Sequence, residues 1–230
     1  MNAKQSYYQT LSASILKKLE KRGMEAYYCA SKGNAVKMIL DLIPEHSCVT
    51  WGGSMTLEES GIIDALRTSK RNIIDRSTAK TPEETKAVYR SAFSADYYLM
   101  SSNAITYDGE LVNTDGTGNR TAALIYGPDH VIVVAGMNKL VPDLNAAFAR
   151  IHNIAAPMNT IRLNIKTPCQ KTGLCADCKS PDTICCQTVI TRYSRIPGRI
   201  KVILVGEDLG YQIGAQQILY KIFVLLSAEP

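Results

Sequence analysis

The chain has no apolar run long enough to cross a bilayer. Its first residues, MNAKQSYYQT, lack the apolar centre of a secretory signal. These absences point to a cytoplasmic protein without a membrane span, in a compartment where thiols stay reduced. No Gly-x-Gly-x-x-Gly follows a strand-like segment and there is no P-loop, so the common phosphate and dinucleotide cradles are missing. Internal repeats and low-complexity segments are also absent. Histidine is scarce, with three in all. His46 and His152 read as loop and helix-surface residues, and His130, opening an apolar run, reads as structural. Positive charge is densest over residues 161–201, where eight Lys and Arg face only Asp177 and Asp182. Stacking aromatics are not interleaved there, which argues against a nucleic-acid surface.

What is present fits one globular domain. The chain has 230 residues, 46% of them hydrophobic and 20% charged, with a net charge of +5. That is long enough for a substantial core. Apolar residues at helical spacing predict helices over 7–22, 31–43, 81–95, 117–126 and 140–155. Another helix begins beyond Gly52 and Gly53, capped by Ser54 or by Thr56, which has capping-box spacing to Glu59. Short apolar runs predict strands over 25–30, 47–51, 72–75, 97–101, 110–113, 130–136, 160–165, 187–193 and 201–205. Strands alternating with helices imply βαβ units: a three-layer α/β fold with a largely parallel sheet flanked by helices. A cysteine-rich loop over 167–186 is inserted into it. The domain then spans 1–211. The remaining 212–230 form a helix-prone tail that reads as a docking or interface element and is compatible with a homodimer.

Residues 101–136 concentrate the polar chemistry. Two apolar runs bracket three close-set glycines and a dense polar set. Polar groups between two buried strands are where an α/β protein places its site. Asn103, Asn113, Asp115, Gly116, Thr117, Gly118, Asn119 and Arg120 are the candidate ligand-binding residues, Arg120 and the Gly116–Gly118 amides being suited to an anion. Upstream, Gly52, Gly53 and Ser54 stand between a strand and a helix start. That geometry can aim backbone N–H groups at an anion, or can be a plain tight turn. Asp108 and Glu110 are the candidate catalytic carboxylates, although Asp-Gly is also ordinary turn chemistry.

Five of the seven cysteines lie within residues 169–186. Cys175-x-x-Cys178 can present two thiolates to one metal, and Cys169 and Cys185 flank it through loops softened by Gly173 and Pro181. Four thiolates suit zinc or an iron–sulfur cluster, and the surrounding cations would favour thiolates. The spacing is not that of a paired zinc ribbon. A redox pair at Cys175/Cys178 and a set of inert thiols stay open as alternatives. Cys186 is the spare; Cys29 and Cys48 read as core.

Three stretches taken together resemble a known family: Trp51-Gly52-Gly53-Ser54-Met55-Thr56-Leu57-Glu58-Glu59, then Gly109-Glu110-Leu111-Val112-Asn113 with Asp115-Gly116-Thr117-Gly118-Asn119-Arg120, then Val205-Gly206-Glu207-Asp208-Leu209-Gly210-Tyr211. They resemble the lactate-utilisation (LUD) domain family, in order, over roughly residues 6–211. The resemblance implies a fold like that of the NagB/RpiA/CoA-transferase group and a part in L-lactate oxidation. It implies partner subunits carrying iron–sulfur clusters, and favours iron–sulfur over zinc at the cysteines. In enzymes of that fold a carboxylate near the strand ends serves acyl-CoA or sugar-phosphate chemistry, the part Asp108 or Glu110 would take. No CoA-transferase catalytic motif is present. A free-standing isomerase or transferase, and a non-catalytic partner with structural zinc, are the alternatives.

Overall fold

The computed structural model describes residues 2–212. All but the first residue of the expected helical tail lies outside that range. The elements, in chain order, are α1 (Ala3–Lys21), β1 (Glu25–Cys29), α2 (Lys32–Leu42), β2 (Cys48–Trp51), α3 (Met55–Glu59), α4 (Ile62–Arg67), β3 (Asn72–Ile74), α5 (Pro82–Ser91), β4 (Tyr97–Met100), β5 (Ala104–Thr106), β6 (Leu111–Asp115), α6 (Asn119–Ile125), β7 (His130–Gly136), β8 (Leu140–Val141), α7 (Leu144–Arg150), α8 (Ala156–Arg162), α9 (Pro168–Thr172), β9 (Gln187–Thr191) and β10 (Ile200–Val205).

Six strands form a parallel sheet in the order β1-β10-β7-β4-β2-β3. The apolar runs at 130–136 and 201–205 make its centre because both of their faces are covered. The alternation within β7 shows why. Ile132 and Val134 pack with Ile39 of α2, Ile43 just beyond it, Leu57 of α3 and Leu66 of α4. Val131 and Val133 point the other way, onto Ile15 and Leu19 of α1 and Leu124 of α6. Helix, sheet, helix is the three-layer α/β architecture expected. A second sheet, β8-β5-β6-β9, sits at one side, its apolar face closed by Ala147 and Ile151.

Local chemistry explains most boundaries. Asn2 caps α1 in a capping box with Gln5, so the helix starts earlier than its apolar stripe suggests. Thr81 and Glu84 form the box that opens α5, with Pro82 in its first turn. Two expectations are corrected. Residues 160–165 are not a strand: Pro157 lies in the first turn of α8 and the Thr160 hydroxyl bonds back to its carbonyl at 2.9 Å. Ile161 and Leu163, which suggested strand alternation, face solvent. The helix foreseen from residue 140 begins at Leu144, because Asp143 caps it by accepting from Ala146 N at 2.8 Å. Leu140 and Val141 instead pair with Ile105 and Thr106. A single π-helical turn, Ile151–Ala155, joins α7 to α8.

Candidate functional site

The sheet order places a topological switch between β2 and β4. The chain leaves β2 toward the β3 edge and leaves β4 in the opposite direction, which opens a crevice beyond their C-terminal ends. A cleft of about 350 Å³ lies there. Each strand end contributes: Gly53 and Ser54 after β2, Ser101 to Asn103 after β4, Lys139 after β7, and Gly210 and Tyr211 beyond β10. Thr114 to Thr117 come from the end of β6, and Ile151, Ala155 and Asn159 from the helical wall.

Positive charge dominates this cleft. Arg76, Arg120, Lys139 and Arg162 line it against a single acid, Asp115. Arg120 is held in place by four acceptors: its Nη1 donates to Asn113 Oδ1 at 2.6 Å and Ser101 O at 3.2 Å, and its Nη2 to Asn103 Oδ1 and Thr114 O, both at 2.9 Å. Asp115 Oδ1 is 3.8 Å from Arg120 Nε, while its Oδ2 accepts from Thr121 N at 3.0 Å. The Asn113 amide nitrogen is buried without a partner among the described residues. Behind this group Arg150, 7% exposed, donates to Asn103 O and Tyr211 O at 2.6 Å each and meets no carboxylate among the described residues. Burial brings its guanidinium down to about 10. Arg162 Nε donates to Tyr211 Oη at 2.7 Å.

Lys139 is the least expected member. It is 7% exposed and pairs with no acid among the described residues; its amine bonds Thr56 Oγ1 at 2.6 Å and Ser101 Oγ at 2.7 Å. Burial, then the nearby guanidinium groups of Arg150 and Arg120, hold its pKa well below the ordinary lysine value.

Of the residues singled out in sequence, Gly53, Ser54, Asn103, Asp115, Gly116, Thr117, Asn119, Arg120 and Cys185 line the cleft. Asn113 stands one layer behind, positioning Arg120. Gly118 has φ +79° and starts α6, a backbone conformation that favours glycine. Gly52 packs where a Cβ would meet Tyr98 Oη at 2.7 Å. Ser54, not Thr56, caps α3, so the Thr56/Glu59 box does not form. Thr56 serves Lys139, and Glu59 accepts from Gly210 N at 2.7 Å. Asp108 and Glu110 stand apart from the cleft-lining set. Asp108 is paired with Lys18 and Arg22 of the α1 end, and Glu110 lies 3.6 Å from Arg22.

The cysteine loop is tied back at Ser180, whose Oγ donates to Lys166 O at 3.2 Å, and at Cys186, whose N donates to Asp115 O at 3.0 Å. All seven cysteines are free. Cys169 is buried in α9, its Sγ 3.3 Å from Thr167 Oγ1 and 3.5 Å from Thr160 Oγ1. The Cys185 residue is exposed, yet its thiol is crowded. Desolvation, followed by the Cys175, Cys169, Cys178 and Cys186 thiols nearby, pushes it up to about 11. Of these five cysteines, Cys185 lines the cleft. Among the described residues, however, no three His, Cys, Asp or Glu side chains are arranged as a set that could hold a metal ion. As they stand the cysteines do not fit a ligand set, and the loop would have to close around a metal. Among the described residues no helix is long and apolar enough to cross a membrane.

No curated protein matches the chain. A crystal structure of a DUF162 family protein from Deinococcus radiodurans superposes with a TM-score of 0.51 at 12% identity, covering 86% of this chain and 98% of that one. The delta subunit of eIF2B from Chaetomium thermophilum overlaps about half of each chain, with 52% and 51% covered, 16% identity and a TM-score of 0.35. The family model described as the LUD domain matches residues 13–205. Most of the described chain lies inside that match, and the protein belongs to the LUD domain family.

Proposed function

We infer that the protein binds a small anionic ligand, a carboxylate or phosphate compound, in the cleft at the strand ends, and does so as a subunit or accessory of an L-lactate oxidation system. The observation that carries the binding claim is the charge imbalance of the cleft: the guanidinium groups of Arg76, Arg120 and Arg162 against Asp115. Fixed guanidinium forks suit carboxylate and phosphate oxygens. The lactate connection rests on family membership, and lactate itself is a small carboxylate. Calorimetric titration of the whole chain with L-lactate, pyruvate and inorganic phosphate at low ionic strength tests the reading. At least one should bind, and Arg76→Met, which removes a cleft-lining guanidinium, should weaken that binding roughly tenfold to a hundredfold, the worth of one or two charge-assisted hydrogen bonds. Failure of all three anions to bind would remove it. Growth on lactate after loss of the gene tests the physiological half.

The loop carrying Cys169, Cys175, Cys178 and Cys185 is proposed to take up a thiophilic metal, iron–sulfur or zinc, on closing. Its support is the gathering of thiols around Cys185. Anaerobic purification with iron and zinc analysis decides it: stoichiometric metal supports the idea, and metal-free chain with reactive thiols replaces it by a redox or inert loop. The alternative of an isomerase or CoA-transferase-like enzyme using Asp108 or Glu110 finds no observation in its favour, since both carboxylates face Arg22.

A further inference from the structure

Ser101 and Lys139 leave the strand ends of β4 and β7 and meet at the floor of the cleft, 2.7 Å apart between Oγ and Nζ. The hydrogen-bond count around them is directional. The Thr56 hydroxyl has Leu209 O as its acceptor at 3.5 Å, so its oxygen is free to accept from Lys139 at 2.6 Å. The Ser101 hydroxyl has one other acceptor, Ser102 O, at a long 3.5 Å. A neutral amine has two N–H donors and one lone pair. With one N–H spent on Thr56, the lone pair can take the Ser101 proton at the shorter distance. Among the described residues no carboxylate bonds the amine; Arg150 and Arg120 disfavour the ammonium form, and Glu59 opposes them by a smaller amount. Burying an amine that has only hydroxyl partners costs stability, which a purely structural position would avoid by using an apolar side chain.

We propose that Ser101 and Lys139 form a serine–lysine dyad, with Thr56 as a positioning residue, that cleaves an ester or thioester of an anionic compound. The anionic group rests on the cleft reading above; the nucleophile does not. Lys139 Nζ takes the Ser101 proton as Oγ bonds to the acyl carbon. The tetrahedral adduct collapses, the bond to the leaving alkoxide or thiolate breaks, and that group leaves with the proton from Lys139. Water, deprotonated by the same amine, then adds to the acyl-serine and releases a carboxylic acid, restoring both side chains.

The test is covalent labelling of the full chain with an uncharged fluorophosphonate, which bonds phosphorus to an activated serine and expels fluoride. Because the probe carries no anion, its outcome is independent of the calorimetric titrations. Peptide mass spectrometry should place the label on Ser101. Lys139→Met should slow it by about a hundredfold or more, as for loss of a general base, and Thr56→Val should shift the pH at which labelling reaches half its maximum. Melting curves show whether the variants fold. If Lys139→Met does not fold, the wild-type rate against pH decides: a rise centred below the ordinary lysine range supports the dyad, and a flat profile overturns it. Labelling of Ser101 no faster than in denatured chain, or equally fast in folded Lys139→Met, also overturns it.

Discussion

Lys139 contributes to stability with an unusual sign. Its folded-state pKa is lowered by burial, so between that pKa and the ordinary lysine value the unfolded chain binds a proton that the folded chain resists. Stability from this residue therefore rises with pH and stops rising once the unfolded lysine also deprotonates, near pH 10.4. Lys139→Met should be at least as stable as wild type at neutral pH, and its advantage should shrink as pH climbs; urea midpoints of both chains across pH measure this. A constant gap would mean the amine is charged in the folded state. Gly136 offers a second test. A Cβ there would lie 2.6 Å from Leu209 N and 2.7 Å from Glu207 O, both backbone atoms that cannot swing aside. Gly136→Ala should cost roughly 2–3 kcal/mol in urea unfolding, as overpacking does. Neither feature was legible from composition. A lysine after Met137-Asn138 looks like ordinary surface charge, and its burial is set by residues 83 and 38 positions away in sequence. The available signal was positional: it is the first cation beyond the C-terminal end of a buried parallel strand, where ligands gather. Arg120, Asn103 and Asp115 were legible because turn glycines and polar residues crowd together there.

Between elements, the β5–β6 turn and α1 are fastened by Asp108 and Glu110 around Arg22, whose Nε also donates to Asp108 O at 2.6 Å. Arg22 and Glu110 are mostly covered, at 17% and 15% exposed, whereas Asp108 is open to solvent. Asp108→Asn with Glu110→Gln should lower the melting temperature by a few degrees and leave anion affinity in the cleft unchanged. A loss of affinity with the fold intact would return these carboxylates to the site. The Lys18 and Arg22 partners hold the Asp108 carboxyl below its usual range, so this fastening is present above that range and weakens as acid protonates it. Elements with a strong period or a named cap were readable: β7 and β10 as apolar runs, α5 by its box. The second sheet was only partly so. Its strands are three, five, two and five residues long, and their pairing is decided by contacts between residues up to 80 apart, as in Leu111 with Thr191.

Across the whole molecule, a cleft with three guanidinium cations and one acid attracts anions through a field that salt screens. Affinity for the ligand found by calorimetry should fall as ionic strength rises from about 0.01 to 0.15 M, a range in which the Debye length shrinks from roughly 30 to 8 Å. Salt-independent binding would point to a neutral ligand held by the hydroxyl and amide groups instead. The parallel sheet also constrains how the chain can be made. Strand β10 lies between β1 and β7, and the residues that follow it close the cleft: Leu209 N on Asn138 Oδ1 at 3.1 Å, Gly210 on Glu59, Tyr211 on Arg150. During synthesis β1 has nothing to pair with until β10 emerges from the ribosome, long after it. The N-terminal α1–β1 unit must wait with an unpaired strand exposed, which makes it the segment most in need of chaperone protection on a nascent chain.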